Sequence, residues 1–245
     1  MAGHSKWANI KHRKARQDAK RGKIYTKVIR EITVAAKAGP DPNDNPRLRL
    51  ALDKANNENM PKDTINRAIQ RGAGTGEANN LEEVNYEGYG PGGVAILVET
   101  MTDNRNRTVA DVRHAFTKFG GNLGTDGSVS YLFNKIGYIR VSLEENEDEL
   151  FNAAIELGAE DIEVTEDAYQ IICNPNSFNE LVENLKGRDC TVLNAELSMR
   201  ADTTIPLDQE ASEKVLRILN FMDDLDDVQE VHTNAEFPED FKMEE

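Results

Sequence analysis

The chain has 245 residues, with 44 acidic against 29 basic side chains, a formal net charge of −15 and 38% hydrophobic content. That length allows one to three domains with real cores, and the composition is that of a highly charged globular protein. No apolar run approaches the ~20 residues a membrane span requires, the longest being Val94–Val98, so no membrane partner is expected and the expected location is cytoplasmic.

The charges are unevenly spread. Residues 1–30 carry ten Lys and Arg against one acidic residue, residues 31–80 balance at seven of each, and the remaining 165 carry 12 basic and 36 acidic residues. A basic arm on an acidic body implies a polyanion partner reached by one end of the molecule. The arm combines the point charges of Lys6, Lys11, Lys14, Lys20 and Lys23 with the forked guanidinium groups of Arg13, Arg16 and Arg21, and runs on to Lys27 and Arg30. Arginine can make two parallel hydrogen bonds to a phosphate. Trp7, the sole tryptophan, has the ring to stack on an unpaired base, and His12 and His4 flank it. A secretory signal would need an apolar stretch after its charges, and none occurs before residue 24. A membrane-surface helix would need an apolar face, for which only Trp7 and Ile10 are available.

In chain order, Ile24, Val28, Ile29, Ile32 and Ala36 keep helical spacing up to Gly39-Pro40. Asn45-Pro46 supplies an N-cap and a first-turn proline for a second helix bearing Leu48, Leu52 and Ala55. Pro61 opens a third, with Ile65, Ala68 and Ile69, closed by Gly72; residues 72–80 then read as a glycine-rich linker. Beyond it the period changes to that of strands, at 81–89 and 94–101, joined through Gly90-Pro-Gly-Gly93. A helix is predicted over 107–119, with Thr108 and Asp111 at capping-box spacing, followed by a polar loop at 120–127 and a strand at 128–133.

Residues 137–199 read strand, helix, strand, strand, helix, strand, the ferredoxin-like βαββαβ order. A helix at 209–222 and a strand at 227–233 close the chain. The expected fold class is α+β, with the ferredoxin-like unit inserted into the domain before it. The domains expected are 1–79 (arm and helices), 80–134 with 204–245, and 135–203.

Candidate sites other than the arm are few. Gly88–Gly93 matches GxGxxG, but a strand rather than a helix follows and Pro91 lacks an amide donor, so a hairpin turn is expected in place of a dinucleotide site. Gly72–Gly76 lacks the Lys-Ser/Thr pair of a phosphate-binding loop. Arg105 and Arg107 precede a helix N-terminus, where amides and the dipole favour an anion; an Asx-turn with solvated arginines explains them equally well. The four histidines and the serines form no catalytic motif, and Cys173 and Cys190 lack metal-ligand spacing. Neither an enzyme nor a cofactor or metal is expected. The acidic runs Glu144–Glu149 and Asp223–Asp227 read as solvated turns, the second with a weak cation site as an alternative.

Five segments carry a resemblance: GHSKWANIKHRKARQDAKRGK at 3–23, NPRLRLALDKANNENMPKDTINRAIQRG at 45–72, YEGYGPGG at 86–93, TDNRNRTVADVRHAFTKFGGNLGTDGSVSYLF at 102–133 and DDVQEVHTN at 226–234. Together they resemble the YebC family, in order and over essentially the whole chain. The resemblance implies a three-domain layout and a non-enzymatic, nucleic-acid-binding regulator of gene expression. The family includes bacterial proteins described as probable transcriptional regulators and the mitochondrial translational activator of cytochrome c oxidase. DNA and ribosomal RNA therefore both stand as expected partners, the latter at ribosomes stalled in peptide synthesis. The oligomeric state is open, with a monomer compatible.

Overall fold

The structure, a computed structural model, describes residues 21–74, 80–238 and 241. The described residues fall into two compact units, one within Met1–Leu132 and Ala201–Glu245, the other within Phe133–Arg200.

Among the described residues the first unit begins with three helices, α1 (Arg21–Ala35), α2 (Pro46–Asn57) and α3 (Lys62–Ala73). A short 3₁₀ turn at Ala36–Ala38 ends α1. Asn45 caps α2 as the sequence predicts, its side chain accepting from the Leu48 amide at 3.0 Å and donating to the Ala35 and Gly39 carbonyls. One buried asparagine thus closes the start of α2 and the end of α1 together. Val28, Ile32, Leu48, Ala51, Ala55, Ile65 and Ala68 form the core between the helices. Gly72 is set by packing: a Cβ there would lie 2.1 Å from the Thr33 carbonyl oxygen.

The sheet of this unit has the order β3-β1-β2-β9, from β1 (Glu82–Tyr89), β2 (Ala95–Thr102), β3 (Asn122–Leu123) and β9 (Val228–Thr233). The β1–β2 hairpin pairs Glu82 with Thr102 and Tyr89 with Ala95, and Gly92 and Gly93 turn it at φ of 74° and 77°. The GxGxxG match is a turn. Helices α4 (Arg105–Lys118) and α7 (Gln209–Asp223) bury Val112, Phe116, Val215, Leu216, Leu219 and Met222 with Ile96 and Val98 of β2 and Val94 just before it. A parallel pair, β8 (Ile205–Pro206) with β10 (Ala235–Glu236), completes the unit.

The second unit runs β4 (Phe133–Val141), α5 (Glu147–Glu156), β5 (Ala159–Val164), β6 (Tyr169–Cys173), α6 (Phe178–Gly187) and β7 (Val192–Ala201), with sheet order β5-β6-β4-β7. This is the ferredoxin-like arrangement. Both cysteines are free; Cys173 is buried in β6, and Cys190 lies half-buried before β7. The mixed α+β architecture is that expected.

Two local expectations are overturned. The strand predicted at 128–133 is a loop and a 3₁₀ turn (Ser130–Leu132), with β4 starting at Phe133. The cause is Glu87, buried in β1: its carboxylate accepts from the amides of Gly127 (2.8 Å), Val129 (2.7 Å) and Ser130 (2.7 Å), so none of these can join a ladder. The same contacts clamp the polar loop after α4. The other concerns α4, which begins at Arg105 with Asn104 as its cap, accepting from the Arg107 amide at 3.1 Å; Thr108 is not the cap.

Candidate nucleic-acid interface

Of the expected contact residues, Lys6, Trp7, Lys11, His12, Arg13, Lys14, Arg16 and Lys20 lie outside the described residues. Arg21 opens α1, with only its backbone described. Lys23, Lys27 and Arg30 follow at four- and three-residue spacing, so they share one face of α1. That face meets the turn after α7.

Lys23 Nζ stands 3.2 Å from Asp224 Oδ1 and donates to the Asp224 carbonyl at 2.8 Å. Lys27 Nζ reaches Asp223 Oδ1 at 2.8 Å, and Arg30 Nη1 reaches Asp227 Oδ1 at 2.7 Å while donating to the Met101 carbonyl at 3.0 Å. The acidic run Asp223–Asp227, expected to be a solvated turn, is therefore an ionic socket for the first helix. Among the described residues no group of His, Cys, Asp or Glu is placed to hold a metal ion.

Asp227 is the centre of the socket. Its side chain is buried and also accepts from Arg107 Nη2 at 2.7 Å, with Thr108 Oγ1 at 2.7 Å from Oδ2. Burial opposes its charge; the hydrogen bonds from Arg107 and Thr108 and the Arg30 charge outweigh that and hold its pKa below the usual carboxylate value. The chain reaches this position through an irregularity in the β2–β9 register at Glu99/Thr100, after which the Met101 amide donates to the Asp227 carbonyl at 2.9 Å.

Arg105 and Arg107 are paired as well. Arg105 binds Glu82, and Arg107 adds Asp103 (2.9 Å) to Asp227, which raises its pKa further. The Asn104 cap already occupies the Arg107 amide. Arg107 is brought to the socket that holds Arg30 and Arg105 to β1, both as partners of carboxylates and not as a free basic patch. The sequence carried one signal of this, the compensating excess of aspartates at 223–227, which local reading assigned to solvent.

A two-unit α+β protein whose basic first helix is ion-paired to an acidic turn is the class that fold and site define. The chain belongs to the TACO1/YebC family: the model for the family's N-terminal domain matches residues 5–75, and that for its second and third domains matches residues 81–235. It is 57% identical over 241 residues to a "Probable transcriptional regulatory protein" of Hahella chejuensis, covering 98% of this chain and 97% of that one. A protein of the same description from Pseudomonas putida is 57% identical over 242 residues, covering 98% of each. A crystal structure of a conserved hypothetical protein from Aquifex aeolicus superposes with a TM-score of 0.87 at 48% identity, covering 93% of this chain and 95% of that one. Among the described residues no helix is long and apolar enough to cross a membrane.

Proposed function

We infer that this protein is a non-enzymatic regulator of gene expression that binds nucleic acid through its basic N-terminal arm. The observation that carries the reading is the division of the arm's charges. Lys23, Lys27 and Arg30 are neutralised by Asp224, Asp223 and Asp227. Residues 1–20 keep six Lys and Arg against one acidic residue, Asp18. The ion-paired helix follows the arm, whose net positive charge in the sequence suits a polyanion. The names of the relatives support regulation of transcription, hence DNA.

A second reading rests on the acidic body. Residues 81–245 carry a net charge of −24, which repels a long duplex and suits insertion of the arm into a pocket of a large folded RNA such as the ribosome, where the protein would act on translation. In-cell crosslinking of residues 4–23 tests both. Enrichment of specific promoter DNA supports the first reading and enrichment of ribosomal RNA the second; crosslinking to neither class would overturn the inference as a whole.

A further inference from the structure

Cations in the described helical segment divide sharply. Lys23, Lys27 and Arg30 are held by the acidic turn, and Arg47 is held by Glu31 and Glu83. Lys37 donates to the Leu81 carbonyl, Arg49 to the carbonyls of Pro42 and Asn43, and Lys54 faces Glu230 at 3.9 Å. All seven basic side chains from residue 23 to residue 54 thus have a partner. The three on α3, Lys62, Arg67 and Arg71, have none among the described residues, and all three are exposed.

Helical geometry groups these residues. Ile65, Ala68 and Gly72 face the core, and Gly72 sits so close to Thr33 that this side of α3 is fully used. Asn66, Arg67 and Gln70 form the opposite crest together with Asp63, and Lys62 and Arg71 lie on its two edges. The one acid on the helix, Asp63, lies in its first turn, where the dipole favours it. The outer face therefore carries three cations against one acid, with side-chain amides between them, and such cations and amides contact phosphate oxygens and sugars. Around it, the cations from Lys23 to Lys54 already have partners.

We propose that the outer face of α3, through Lys62, Arg67 and Arg71 with Asn66 and Gln70 beside them, is a second contact surface for the sugar–phosphate backbone of nucleic acid. This rests on the nucleic-acid reading of the arm and adds to it a rigid element. The arm supplies charge, and α3 supplies a surface of fixed spacing that sets register.

The test compares the full-length protein, K62A/R67Q/R71Q, and the arm variant K11A/R13A/K14A/R16A. Binding of a fluorescent 20-base-pair DNA duplex and of a structured RNA is followed by anisotropy at several salt concentrations. Arg49→Ala serves as a control for loss of a partnered cation. The α3 variant is expected to flatten the log–log salt slope by about 2.7 on the duplex, or about 2.1 if the RNA is contacted as a single strand, with the melting temperature unchanged. Arg49→Ala is expected to leave the slope as it was. A wild-type slope for the α3 variant, with loss in the arm variant, would overturn the α3 surface and leave the arm reading standing. If the unaltered protein binds neither probe with salt dependence, the functional reading itself fails.

Discussion

Arg30 and Asp227 meet at 2.7 Å, joining the helix that follows the basic arm to the turn that ends α7. The same carboxylate holds Arg107 and Thr108, so one aspartate fastens α1, α4 and β9 at a single point. Removing its charge takes the carboxylate from Arg30 and leaves Arg107 with Asp103. Asp227→Asn is expected to cost roughly 2–3 kcal/mol in urea denaturation, less than the ~3–5 kcal/mol of a fully buried pair, because Arg107 keeps half its side chain in water. A change below about 0.5 kcal/mol, the scale of an ordinary surface substitution, would contradict the socket.

Asp227 and Glu87 both have folded pKa values below those of the free side chains. For Glu87, burial raises the pKa and the amides of Val129, Gly127 and Ser130 more than compensate. A depressed folded value means that the stabilisation is fully present above the unfolded pKa and is lost as pH falls through the folded one. Stability contributed by these two groups should therefore be level from pH 7 to about pH 5 and decline below about pH 4, the range of unperturbed carboxylates. Chemical denaturation at stepped pH checks this, and Asp227→Asn should shallow the acid limb.

Glu87→Gln keeps the shape of the side chain and removes the charge that gathers three amides. A hydrogen bond to a charged group contributes about 1.5–3 kcal/mol, and a loss of at least that order is expected, with faster amide exchange at Gly127, Val129 and Ser130. Unchanged exchange at those amides would show that the loop is held by other contacts.

Gly72→Ala places a Cβ against the Thr33 carbonyl oxygen of α1 and the Ala36 Cβ of the 3₁₀ turn that ends it. Overpacking of this kind costs about 1–3 kcal/mol. Ala would otherwise favour a helix by about 1 kcal/mol over Gly, so a stabilised variant would refute the close α1–α3 crossing.

Much of this architecture is legible in the sequence because its determinants are local. Asn45-Pro46 announces α2 through one cap and one missing amide, and the alternation from Tyr138 to Leu197 spells out the ferredoxin-like order. What escaped reading depends on distant side chains. Val129 and Ser130 have strand-like neighbours, yet Glu87, some forty residues earlier, takes their amides. Thr108 has capping-box spacing, but its hydroxyl faces Asp227 and Thr102 while Asn104 caps the helix. Among the site residues, the pattern identified Lys23, Lys27 and Arg30 as basic. Only their meeting with the turn after α7 shows that this charge is spent inside the molecule.

The central claim is that positive charge in the arm grips nucleic-acid phosphates, and the salt dependence of binding tests it most directly. With Lys11, Arg13, Lys14 and Arg16 replaced by alanine, the log–log slope should flatten by about 3.6 on duplex DNA, or about 2.8 on single-stranded RNA, while the folded body keeps its melting temperature. A slope equal to that of the unaltered protein would contradict the account.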